Sequence, residues 1–100
     1  MKVLGVGAHY DDLELGCSGT LIKHREAGDD VTMVVVTDSS YRNPQGSEVR
    51  SADVALDEGR KAAEIIGANL ICLDYDTFMV PFDEVLTKRL TGIMEEYGID

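Results

Sequence analysis

His9, Asp11 and Asp12 put an imidazole and two adjacent carboxylates within one short stretch of chain. An imidazole and a carboxylate three positions apart, across a strand–helix turn, can point at one metal ion. The carboxylate one position off is then left free to act as a base.

The elements that must position these groups are legible in the apolar spacing. Residues 3–8, Val-Leu-Gly-Val-Gly-Ala, form a short β-compatible run, read as a buried strand. Residues 13–27 carry Leu13, Cys17, Leu21 and Ile22 at helical spacing. The histidine and the acids therefore stand at the carboxyl end of a strand, the edge where open α/β sheets bind ligands. After a turn at Gly28-Asp29-Asp30, residues 31–37 make a β-branched strand buried on both faces and ending at Asp38. Residues 39–47, with Asn43-Pro44 and Gly46, read as a loop, and residues 41–46 as a mobile loop over the site. A helix over residues 50–66 stops at Gly67, residues 69–75 give a third strand, and residues 82–97 a last helix. Strands separated by helices imply right-handed crossovers and a parallel sheet.

The chain has 100 residues, 44% of them hydrophobic, enough for one small domain or part of a larger one. Its formal net charge of −10, from 19 acidic and 9 basic residues, excludes nucleic acid and anionic membrane as partners, since both need clustered cations. Cys17 and Cys72 are apolar-flanked and in different elements, as in a reducing compartment, and the apolar start is too short for a signal peptide or a membrane span. A cytoplasmic protein is expected. Three parallel strands with exposed edges make a poor stand-alone sheet, so residues 1–100 are expected to be the N-terminal portion of a single α/β domain, or to need a partner such as a second copy.

A structural explanation competes for the acids. Asp11 as helix N-cap with Glu14 three residues on is a capping-box pattern, and acids in a first turn suit the helix dipole. It leaves His9 unexplained, along with Gly16 and Gly19, which imply close approach of a backbone or ligand. On residue types alone, capping and metal binding stay open, and both can hold together.

The run Ala8-His9-Tyr10-Asp11-Asp12-Leu13-Glu14, followed by Gly16-Cys17-Ser18-Gly19-Thr20, resembles the signature of the PIG-L/LmbE-like zinc-dependent deacetylases, Ala-His-Pro-Asp-Asp-x-Glu and a Gly-rich helix start. The likeness continues through Lys23-His24 and Gly28-Asp29, the strand ending in Thr37-Asp38, and Glu58 to Gly67. The resemblance implies a Rossmann-like three-layer α/β fold with a parallel sheet, incomplete in this chain. It implies a hydrolase removing acetyl from an N-acetylated sugar conjugate, with Zn2+ as cofactor, His9 and Asp12 as metal ligands and Asp11 as general base. Tyr10 stands where the family has proline, placing an aromatic hydroxyl near the site. The family's third ligand, a later histidine, has no match. Its usual arginine three residues before Glu58 is Ala55, with Arg50 the substitute sugar contact, set against the ordinary role of a solvated arginine at a helix start.

His24 lies about four turns along its helix, too far to serve as the third ligand. Asp38 and Asp76, at the ends of the second and third strands, are candidate substrate contacts, with turn capping the competing role of Asp38. Two other readings remain. Paired acids after the first strand and Asp74 after the third also suit a receiver-like phospho-acceptor module, and the chain could be a non-catalytic fragment that folds only with a missing half.

Overall fold

A strand in which nearly every side chain is branched and apolar must be covered on both faces, and that strand organises this molecule. The computed structural model describes residues 1–100. The elements run β1 (Lys2–Gly7), α1 (Tyr10–Glu26), β2 (Asp30–Thr37), β3 (Tyr41–Arg42), β4 (Glu48–Arg50), α2 (Ala52–Ile66), β5 (Asn69–Tyr75) and α3 (Glu84–Glu96). Every β2 residue after Asp30 is buried. β1 and β5 flank it in parallel, with Val3 opposite Val31 and Val34 opposite Ile71.

One face of β2 gives Val31, Met33 and Val35 to a core completed by Tyr10, Leu13 and Leu21 of α1 and Ala55, Ala63 and Ile66 of α2. The alternate residues Thr32, Val34 and Val36 are buried on the other face. α3 returns along that side, the Arg89 guanidinium donating to Leu73 O and lying over the Tyr75 ring. The α/β class with a parallel sheet and helices on both faces is therefore as expected.

Local chemistry sets the helix ends. Ser51 Oγ accepts from Val54 N at 3.2 Å to start α2, and Gly67, at φ 82°, ends it in the left-handed conformation a side chain would resist. Asp83 Oδ1 accepts from Leu86 N to start α3. α2 begins at Ala52, so Arg50, expected on the helix, belongs to β4.

α1 departs further from expectation. It begins at Tyr10, three residues before Leu13, with His9 as N-cap in extended conformation. The box closes through Asp12, whose Oδ2 accepts from His9 N at 2.9 Å, so Asp11 sits inside the first turn and is not the cap. The helix is kinked at Cys17 (φ −148°, ψ 16°), where Gly16, Ser18 and Gly19 offer little resistance to a break. A methyl at Gly16 or Gly19 would meet nothing within 4 Å, so neither glycine marks a close approach of this chain's own backbone.

The close approach is at Gly59 on α2, where a methyl would overlap ring carbons Cδ1 and Cε1 of buried Tyr10. Gly59→Ala is expected to cost about 1–3 kcal/mol by overpacking, read as a lower urea midpoint at unchanged m. The penalty should shrink in a Tyr10→Ala background. Equal costs in both backgrounds would show that the two residues do not couple.

The expected loop over residues 39–47 is partly a β-hairpin. β3 and β4 pair antiparallel, and the turn is tied by Asn43 Oδ1, which accepts from Gln45 N and Ser47 N.

Candidate active site

The glycine-rich end of β1 hands the chain to α1 through Ala8 and His9, and the sheet fastens that junction from three sides. Thr37, closing β2, donates to Ala8 O from both its N–H and its Oγ1. Ser39, buried and held at φ 58°, accepts from Tyr10 N at 3.1 Å through its Oγ. Tyr10 itself turns inward, its hydroxyl on Cys72 Sγ of β5 at 2.8 Å. Burial, reinforced by that bond, pushes the Tyr10 phenol well above its ordinary range, and burial also raises the Cys72 thiol. The tyrosine hydroxyl expected near the site is therefore in the core, because the ring is bulky, apolar and faces the gap at Gly59.

The side chains beside Tyr10 face the other way. His9, Asp11 and Asp12 line a cavity of about 390 Å³ at the carboxyl edge of the sheet, within the usual range of small-molecule sites. Ser39 and Ser40 beyond β2, Tyr41 and Val49 of the hairpin, Arg50, and Thr77 beyond β5 complete it. The structure thus brings together four of the residues singled out in the sequence: His9, Asp11, Asp12 and Arg50. Ser39, Ser40, Val49 and Thr77 were missed, although their positions just past strand ends, or flanking Arg50, carried the signal.

His9 Nδ1 lies 3.4 Å from Asp12 Oδ2, with the two side chains 40% and 49% exposed. Two donors on one tetrahedral zinc, each about 2.0–2.2 Å from it, are separated by about 3.4 Å. The pair therefore fits two corners of a zinc site, and the Oδ2 that caps the helix is also the oxygen nearest the imidazole. No group of three His, Cys, Asp or Glu side chains in the chain could hold a metal ion, so a third donor is not among these residues. Asp11 takes part in neither the cap nor the histidine pair.

Arg50 reaches across the cavity to α2, Nη2 donating to Glu58 Oε2 at 2.6 Å, while its buried Nε has no partner. Nearby, Glu14 is raised by burial and then by the Asp11 charge, with Arg50 opposing.

Asp38 and Asp76 do not line the cavity. Asp38 Oδ1 accepts from Ser40 N and Thr77 Oγ1. Burial pushes its carboxyl up, but these bonds and the Arg42 charge outweigh it and hold it below the ordinary value. Asp76, exposed, forms its own turn through Phe78 N. His24 is paired to Asp29 at 2.8 Å. Asp74, exposed at φ 59°, does not join Asp11 and Asp12 in the cavity as a phospho-acceptor would.

Comparison with known proteins places the family and the fold. The sequence profile of the PIG-L, GlcNAc-PI de-N-acetylase, family matches residues 4–100. Diacetylchitobiose deacetylase of Thermococcus kodakarensis is 31% identical over 99 residues, spanning 95% of this chain and 37% of that protein. Among solved structures, N,N'-diacetylchitobiose deacetylase from Pyrococcus horikoshii aligns with a TM-score of 0.83 at 28% identity, over 95% of this chain and 37% of that one. The 4-carboxy-2-hydroxymuconate hydratase GalB of Pseudomonas putida aligns with a TM-score of 0.84 at 23% identity, over 98% and 44%, a likeness of fold. The chain thus spans less than half the length of the relatives it matches.

Proposed function

The chain belongs to the PIG-L family of GlcNAc-PI de-N-acetylases, and from that premise we propose that it serves a zinc-dependent hydrolase that removes acetyl from an N-acetylated sugar conjugate. The observation that carries the reading is the 3.4 Å separation of His9 Nδ1 and Asp12 Oδ2 in one cavity with Asp11. Diacetylchitobiose deacetylases among its relatives support the substrate class.

His9 and Asp12 would hold the zinc, with a third donor supplied by a second copy of the chain or by the rest of a longer protein. When bound, zinc supplies a Lewis acid toward the acetyl carbonyl. Asp11 takes the proton of the attacking water at its carboxylate and returns it to the departing amine. Arg50 lines the cavity as the sugar contact while Glu58 fixes its guanidinium. Asp38 contributes through others, holding Ser40 and Thr77 in the cavity wall, and Asp76 through the turn after β5. No helix is long and apolar enough to cross a membrane, and the free thiols of Cys17 and Cys72 suit a cytoplasmic site of action.

Acetate release from N,N'-diacetylchitobiose checks the reading. Release is expected with zinc, lost on chelation and restored by zinc in excess. Release undiminished by a chelator that strips all metal would overturn the metal-assisted mechanism.

A further inference from the structure

Most residues lining the cavity are polar, but two are not. Tyr41 of β3 and Val49 of β4 are its two hydrophobic lining residues, and both are exposed, 49% and 61%. Exposed apolar side chains usually stand scattered; these face one ligand-sized space. Their placement follows from the hairpin. Tyr41 pairs directly with Arg50, which puts both on one face of the ribbon. Adjacent residues on a strand point to opposite faces, so Val49 would turn away from Arg50. The register shifts between Tyr41 and Arg42, and such an irregularity re-aims a side chain. Tyr41, Val49 and Arg50 can thus all line the cavity.

We propose that Tyr41 is the residue that selects for a sugar ring, its aromatic face stacking on the apolar C–H face of an N-acetylated pyranose, with Val49 widening the platform. This rests on the N-deacetylase reading and adds to it what the substrate must present: a flat C–H face as well as an amide. The rest of the lining matches such a ligand, since the side chains of Ser40, Thr77 and Arg50 can hydrogen-bond ring hydroxyls. A ribbon braced at its turn by Asn43 presents the ring without ordering a flexible loop. The hydroxyl of Tyr41 has no part in the stacking, so phenylalanine or tryptophan should replace it.

The test is steady-state hydrolysis by the zinc-loaded protein of N,N'-diacetylchitobiose and, as a ring-free amide, N-acetylethanolamine. Tyr41→Ala is expected to raise KM for the disaccharide about fivefold, the effect of losing about 1 kcal/mol of aromatic contact. It should leave kcat, and turnover of the acyclic amide, unchanged. Tyr41→Phe and Tyr41→Trp should restore KM. An unchanged KM in Tyr41→Ala, with hydrolysis otherwise normal, overturns the assignment and leaves the N-deacetylase reading standing. So does a wild-type protein that cleaves the acyclic amide as well as the sugar. A wild-type protein that cleaves neither overturns both.

Discussion

Asp11→Asn is expected to lower turnover of the zinc-loaded protein a hundredfold or more while leaving zinc stoichiometry and fold unchanged. The magnitude is that of a general base, about 10²–10⁴-fold. Asparagine keeps the size and one oxygen of the side chain and removes only its ability to take a proton. Asp11 neither caps α1 nor pairs with His9, so no structural bond is lost with the charge. The one structural debit is a carboxylate removed from the first turn of a helix, about 0.3–1 kcal/mol, too little to unfold the protein. Rate and metal content must be measured on the same sample. A hundredfold loss with full zinc assigns the proton transfer to Asp11; full turnover without the carboxylate removes it from the mechanism.

The second large effect separates metal binding from helix capping, the two explanations that residue types alone left open. Asp12 serves both, because its Oδ2 accepts from His9 N and also faces His9 Nδ1. His9→Ala keeps the cap, which uses only the backbone N–H of that residue, and removes the imidazole. Asp12→Ala removes both functions, and Asp12→Asn keeps an acceptor for the cap but not the charged donor. All three are expected to take zinc content from one per site to near zero. In the metal-free state only Asp12→Ala should lose stability, by about 1 kcal/mol, or about 4–8 °C in Tm for a domain of this size. Zinc retained by His9→Ala would exclude the imidazole as a ligand, whereas a metal-free Tm unmoved by Asp12→Ala would exclude the cap.

Much of this arrangement is legible in the sequence. The run from Val31 to Thr37 announced a strand covered on both faces, Gly67 announced the end of α2, and His9, Asp11 and Asp12 announced the site by their place at a strand end. What escaped depended on partners distant in sequence. Histidine is an uncommon N-cap, so apolar spacing starts α1 three residues late, and the capping alternative points to Asp11 and Glu14 where the structure uses His9 and Asp12. β3 and β4 have two and three residues, too few for any periodicity to register. The inward turn of Tyr10 depends on the gap at Gly59 and the thiol of Cys72, both far along the chain. Gly16 and Gly19 looked like signs of contact and instead flank a kink. Even so, the unexpected cavity residues beyond β2 and β5 lie at the carboxyl edge, where the topology already directed attention.

The burial of Tyr10 has a thermodynamic consequence. Its N–H is held by Ser39, its hydroxyl by Cys72 and its ring by α2, so the residue between the histidine and the acids has lost its conformational freedom by the time the chain has folded. The entropy of ordering that turn is spent during folding rather than during binding. Under the proposed function, a cation or a sugar arriving at the cavity would meet a backbone turn that is already ordered, and little of its binding energy would be diverted into arranging it.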